Sequence, residues 1–170
     1  MLLEKKLRQP VKKYMAITAN YWAFTLTDGA LRMLVLLYFY QQGYSPIAIA
    51  GLFLFYEVFG VITNLVGGWL GARIGLNKTM LSGILLQLVA LLMLTMPSYA
   101  LSVSYVMLAQ ALSGIAKDLN KMSAKSSIKL LVENVNNEDL EGKLFRWVAL
   151  LTGSKNALKG VGFFLGGLLL

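Results

Sequence analysis

The chain has 170 residues, 57% of them hydrophobic and only 14% charged, whereas soluble domains are about a quarter charged. With no cysteine and no histidine, disulfides, thiolate metal sites and the usual neutral-pH proton shuttle are excluded. The net charge of +8, from 16 Lys+Arg against 8 Asp+Glu, would suggest nucleic acid in a soluble protein; apolar stretches of roughly 20 residues place it beside a lipid bilayer instead.

Met1 to Lys13 is a basic tail, with Lys5, Lys6, Arg8, Lys12 and Lys13 against Glu4. A first helix is expected from about Tyr14 to Tyr40, ending at the uncharged turn QQGYSP. A second runs from about Ile47 to Leu70 and closes at GGWLGARIGLNKT, which carries Arg73 and Lys78. The third, about Met80 to Met96, is the cleanest apolar run and stops at PSYA. A fourth begins near Leu101 and turns basic at Lys117, Lys121, Lys125 and Lys129, before the acidic connector VENVNNEDLEG. A fifth starts near Lys143 and is still apolar at Leu170. The first stretch lacks a small-residue cleavage site and does not read as a signal peptide.

Basic residues gather in the amino-terminal tail, the Arg73–Lys78 loop and the Lys125–Arg146 region, and the two loops between have none. Because Lys/Arg excess marks the cytoplasmic side, the expected topology has a cytoplasmic amino terminus and five alternating spans. A run that stops inside a helix is the expected front part of a longer protein, residues 14–170 forming an incomplete amino-terminal bundle. The expected fold class is therefore an all-α, multi-pass membrane protein.

On a wheel of about 3.6 residues per turn, polar residues line up on four helices. The first carries Thr18, Tyr21, Thr25, Asp28 and Arg32, the second Glu57, Gly60, Asn64, Gly67 and Gly71. The fourth carries Ser113, Lys117, Lys121 and Lys125 with Asp118 alongside; the fifth carries Thr152, Lys155, Lys159, Gly162 and Gly166 with Asn156 alongside. Intramembrane ionisable residues face a bundle interior or a watery cavity and pair there. The bland readings are an internal Asp28–Arg32 pair, close helix packing at Gly60, Gly67 and Gly71, snorkelling at Lys125 and Lys129, and an interfacial anchor at Arg146–Trp147.

Lys155 and Lys159 resist a bland reading. A rise of about 1.5 Å per residue from Lys143 puts Lys155 about 18 Å into the span, close to the middle of a hydrocarbon core of roughly 30 Å. Glu57 could neutralise one of them, and Asp118 has Lys117 or Lys121 for company. A buried cation without a carboxylate is a site for an anion, held by charge-assisted hydrogen bonds.

GGWLGARIGLNK resembles the loop signature G-x-x-x-D-R-x-G-x-R-K of the major facilitator superfamily. Gly68, Arg73, Gly75 and Lys78 fall on its glycine and basic positions, while Ala72 replaces the acid and Asn77 a basic residue. VGFFLGGLL resembles the glycine-rich fifth-helix motif, with Gly162, Gly166 and Gly167 matching. ANYWAFTLTDGALRMLVLLYF, LFLFYEVFGVITNLVGGWLGARIG, ALSGIAKDLNKMSAKSSIKLL and RWVALLTGSKNALKGVGFFLGG are together similar to the organoarsenical efflux permeases of that superfamily, over about the first five of their twelve helices. The resemblance implies export of 1-arseno-3-phosphoglycerate across the bacterial inner membrane by alternating access. It also implies arsenate resistance, and a functional link to a glyceraldehyde-3-phosphate dehydrogenase that uses arsenate.

On this reading Arg32, Lys117, Lys121, Lys155, Asn156 and Lys159 contact an anionic organic substrate. Asp28, Glu57 and Asp118 serve proton coupling or charge balance, and Gly68, Arg73, Gly75 and Lys78 form the gating loop. The first three helices and the next three would be an inverted repeat around a midplane site. No enzyme activity, cofactor or metal is expected, since the lone intramembrane carboxylates lack paired spacing for acid–base chemistry. Two alternatives stand beside it: a transporter of another organophosphate or organic anion, and a small membrane scaffold without transport.

Overall fold

A computed structural model describes the backbone at residues 2–97, 99, 101–133 and 140–169, and side chains at 12–97, 99, 101–131, 142 and 145–169. Most of the basic tail's side chains, most of the acidic connector and Leu170 lie outside the described residues. The described residues form six helices: α1 Leu2–Gln41, α2 Pro46–Leu52, α3 Leu54–Ile74, α4 Leu76–Leu94, α5 Val103–Glu133 and α6 Leu140–Leu168. Among the described residues there is no strand.

Two boundaries differ from the sequence expectation. The second helix is broken near its start, where Ser45 caps Ala48 N–H with its hydroxyl at 3.3 Å and Pro46 takes the first helical position; α2 and α3 then meet at Phe53. The expected loop between the second and third spans shrinks to one residue, Gly75. Its φ of 93° and ψ of 143° belong to backbone that glycine adopts without a Cβ penalty, so Arg73 sits in the last turn of α3 and Lys78 in the first turn of α4. The basic tail is also not a separate segment, because the backbone of 2–13 continues α1.

Among the described residues three segments are long and apolar enough to cross a membrane: 12–41, 46–74 and 76–94. α5 and α6, at 31 and 29 residues, have the length, at about 1.5 Å per residue, but carry lysines in their middles. Apolar side chains point outward along α3 and α4: Leu65 is 80% exposed, Trp69 58%, Leu85 54% and Leu92 65%. Buried positions instead hold Thr18, Thr25, Asp28, Gln87, Ser113, Asp118 and Asn120. A polar interior under an apolar coat inverts the soluble pattern and suggests a membrane protein.

Glycines set the helix spacing. Gly29 on α1 faces Gly162 on α6, where a Cβ would lie 2.5 Å from the Leu26 carbonyl oxygen; at Gly166 a Cβ would lie 2.5 Å from the Ala30 oxygen. On α3, Gly60 and Gly67 press against Asp118 and Met122 of α5. Small residues substitute for the missing hydrophobic drive between helices in lipid by letting backbones approach. α5 is the hub of the bundle, packing on α1, α3, α4 and α6.

Gly162→Leu is expected to destabilise the purified protein by about 2 kcal/mol through overpacking, whereas Gly160→Leu, which points into open space, leaves it nearly unchanged. Thermal unfolding in micelles separates the two, and equal losses would contradict the packing role of Gly162.

Candidate functional site: a cationic cavity between the helices

The polar faces of α1, α5 and α6 converge with the start of α3 on a cavity of about 250 Å³ lined by Tyr21, Phe24, Thr25, Asp28, Arg32, Tyr56, Glu57, Lys117, Lys121, Lys155 and Lys159. Asp28 stands about 24 Å from Lys12 and about 20 Å from Gln41 along α1, near mid-span. Apolar clusters lie to either side of it along α1. Leu31, Val35, Phe39, Ile49, Leu52 and Val106 pack on one, and Ile17, Tyr21, Ala124, Ile128 and Leu151 on the other.

Charges inside are paired both across helices, at Glu57, and along one, at Asp118 of α5. Arg32 Nη2 donates to Glu57 Oε1 at 2.6 Å, and Lys117 Nζ stands 3.5 Å from Glu57 Oε2. Asp118, 5% exposed, lies between Lys117 at 3.7 Å and Lys121 at 3.4 Å. The expected Asp28–Arg32 pair along one helix is not formed. Asp28, 6% exposed, instead accepts the Tyr56 hydroxyl at 2.8 Å on Oδ1 and 3.0 Å on Oδ2.

Tyr56 therefore organises the site. It is fully buried, with the Arg32 guanidinium carbon 3.9 Å and Lys117 Nζ 4.2 Å from its ring centroid. Cation–π attraction of this kind strengthens where the cation is desolvated. The sequence does not single out Tyr56, which is one aromatic among many on an apolar helix; its spacing of four from Gly60 is the signal that puts it on the buried face.

Lys155 and Lys159 both line the cavity, half-buried. Glu57 is committed to Arg32 and Lys117, so it neutralises neither of them. Among the described residues no carboxylate lies within 4.0 Å of either lysine, and Lys159 rests 5.5 Å from the centroid of its own helix's Phe163. Five cationic side chains thus face three carboxylates in and beside the cavity. Such an excess attracts an anion, and more strongly away from bulk water.

Two sets of expected site residues fall elsewhere. Asn156 does not line the cavity and is exposed, because on a helix of 3.6 residues per turn its neighbour Lys155 takes the inward direction and position 156 turns about 100° away. Asn64 is likewise exposed while Gly60 and Gly67 are buried. The loop residues lie at the basic end of the bundle. Gly75 and Lys78 line a separate cavity of about 650 Å³ with Lys13 and Ser127, Arg73 stacks 5.1 Å from the Trp69 ring centroid, and Gly68 has open space around it. Lys125 is exposed, as a snorkelling residue would be. At the Arg146–Trp147 anchor, Arg146 is exposed and Trp147 packs on Tyr14, ring centroids 4.5 Å apart. No cluster of three or more metal-ligating side chains occurs among the described residues.

Tyr56→Phe removes the donor to a buried carboxylate and is expected to cost about 1–3 kcal/mol. Asp28→Asn in the same chain should recover part of that loss, the coupling being read from a double-mutant cycle of unfolding free energies. Strict additivity would show that the bond contributes nothing.

No family model, no curated protein and no solved structure matches this chain.

Proposed function

We propose that the protein is a membrane transporter that carries an organic oxyanion through the cationic cavity. The observation that supports this is the pair Lys155 and Lys159: two cations on one helix face, half-buried, lining a cavity whose carboxylates are engaged by other groups, Glu57 by Arg32 and Lys117 and Asp28 by the Tyr56 hydroxyl. An unpaired intramembrane cation costs roughly 2.5–3.5 kcal/mol even on insertion scales, and an anion in transit gives that cost a purpose. Arg32, Lys117 and Lys121 add charge-assisted donors around the same space.

The topology belongs to the same proposal. Five spans, with α2 and α3 acting as one, cross the membrane, and α5 and α6 shield their lysines inside the bundle. Lys13 and Lys78 meet at one end of the bundle, which the positive-inside rule assigns to the cytoplasm. The opposite end, around Leu31, Val35, Phe39 and Val106, is apolar. Alternating access would open the cavity first to the basic end, then to the apolar one. Proton antiport through Asp28 and Glu57 is the proposed driving force.

The resemblance of the long helix motifs to organoarsenical efflux permeases of the major facilitator type selects the cargo: 1-arseno-3-phosphoglycerate, exported across the bacterial inner membrane. That molecule carries several anionic oxygens and little apolar bulk, which suits lysine and arginine, and its pentavalent arsenic needs no thiolate. The residues proposed to meet it are Arg32, Lys117, Lys121, Lys155 and Lys159; Asn156 faces away and is not among them.

The test expresses the complete gene in arsenic-sensitive cells beside an arsenate-using glyceraldehyde-3-phosphate dehydrogenase and follows arsenic efflux. Efflux is expected to require the dehydrogenase and to fall at least about tenfold in Lys155→Ala with Lys159→Ala, the loss of a charge-assisted anion contact worth roughly 1.5–3 kcal/mol. Unchanged efflux in that variant would make the lysines structural, and no efflux from inserted protein would reject the arsenical cargo. Collapse of the proton gradient should stop efflux; persistence would reject antiport.

A further inference from the structure

Glu57 is held in an unusual way for a structural counter-ion. It bridges Arg32 and Lys117, side chains 18% and 22% exposed, yet is itself 59% exposed. A carboxylate that served only to neutralise these half-buried cations would be expected to lie as deep as they do. Its hold on Arg32 is also partial. Only Nη2 donates to it, while Nε of the same guanidinium is buried and has no hydrogen-bond acceptor among the described residues. Nε and Nη2 form one edge of the guanidinium fork, the edge that takes two oxygens of one oxyanion side by side.

The cations, by contrast, are fixed without Glu57. Arg32 lies over the Tyr56 ring at 3.9 Å and faces Phe53 at 5.9 Å; Lys117 lies over the same ring at 4.2 Å and also has Asp118 at 3.7 Å. Tyr56 is in turn anchored through its hydroxyl to Asp28. Moving the Glu57 side chain aside therefore leaves a preformed pair of cations.

We infer that Glu57 is a resident stand-in for the substrate: a tetrahedral oxyanion group, such as a phosphoryl or arsenyl group, displaces its carboxylate and takes Arg32 Nε, Arg32 Nη2 and Lys117 together. This rests on the anion-transport reading of the same cavity and adds to it a position and a chemical preference. A tetrahedral group has three free oxygens for these three donors. A planar carboxylate has two, and in the arrangement seen it leaves Nε unused. Glu57 also sets a threshold, since a competing internal ligand lowers the apparent affinity of any anion by the fraction of time it occupies the cations. Weakly interacting anions are thereby refused, and the pair stays neutralised between transport cycles.

Binding to the purified full-length protein in nanodiscs tests this, using glycerol 3-phosphate and malate, which are both dianions in mildly alkaline buffer. The wild type is expected to prefer the phosphate ester. Glu57→Gln and Glu57→Ala should each bind it about tenfold more tightly, as release from a competitor present about 90% of the time requires. Arg32→Lys keeps the charge but loses the forked edge, and should bring the two dianions to within about twofold of each other. Weaker or unchanged binding in both Glu57 variants, while the wild type binds and Lys155→Ala with Lys159→Ala does not, would overturn the displacement and leave the transport reading intact. Retention of the full phosphate preference in Arg32→Lys would overturn the forked contact. No binding of either dianion to wild type or Glu57 variants would overturn both the displacement and the anion reading beneath it.

Discussion

An excess of cations over carboxylates at mid-helix is the constraint on which the rest of this structure depends. Arg32, Lys117, Lys121, Lys155 and Lys159 share one cavity with Asp28 and Glu57, and Asp118 stands beside it. Like charges in a medium of low dielectric repel strongly unless something intervenes. Here the intervening groups are specific: Glu57 between Arg32 and Lys117, Asp118 between Lys117 and Lys121, and the Tyr56 ring beneath both Arg32 and Lys117. The helices have to stand close enough for these contacts, and the glycines allow it. A Cβ at Gly60 would lie 2.6 Å from Asp118 Oδ2, so a larger residue at position 60 would displace the carboxylate that steadies the α5 lysines.

The glycine contacts and the charge pairs are consequently one design and not two. In lipid, helix association gains little from hydrophobic burial, because the surroundings are as apolar as the side chains. Close backbone approach at Gly29–Gly162 and Gly166 holds α6 on α1 and presents Lys155 and Lys159 to the cavity. The same approach at Gly60 and Gly67 holds α3 on α5. The outward faces of α3 and α4 are left to Leu, Val, Ile, Phe and Trp, which the bilayer solvates. A chain arranged this way needs no large apolar core, and its buried Ser113–Gln87 hydrogen bond at 2.8 Å is the kind of polar contact that fixes register between helices.

Much of this is legible in the sequence, for a simple geometric reason. Spacings of three and four place residues on one face, so spacing alone groups Thr18, Tyr21, Thr25 and Asp28, and they are buried together. Ends of helices are legible to within a few residues where Pro46 or an uncharged turn marks them. What periodicity cannot give is the partner on another helix. Asp28 and Arg32, one turn apart, have the spacing of a pair; each in fact binds α3, to Tyr56 and Glu57 respectively. The position of a residue beside a stripe is equally hard to read, since a step of about 100° decides between cavity and lipid, and Asn156 falls on the outer side. Tyr56 carries no local mark beyond its spacing of four from Gly60. The one-residue turn at Gly75 is hidden because the polar string around it resembles a loop, and only the positive φ reveals that both helices run up to it.

The unequal burial around Glu57 connects stability to function. A bridge between two partly buried cations is ordinarily a poor source of stability, since desolvation offsets the attraction. In the proposed transporter its value would lie in reversibility, since Arg32 and Lys117 have the Tyr56 ring, and Lys117 also Asp118, as contacts independent of the carboxylate. A transport site must hold its cargo and also release it, so a charge pair too well satisfied would trap the empty carrier, and one not satisfied at all would trap the loaded one. An exposed carboxylate that makes one bond to Arg32 where the guanidinium edge offers two lies between those limits. In the proposed transporter Lys155 and Lys159, lacking such a stand-in among the described residues, would supply the attraction that draws an anion in; Arg32 and Lys117, already bridged, would supply the selectivity that tells one anion from another.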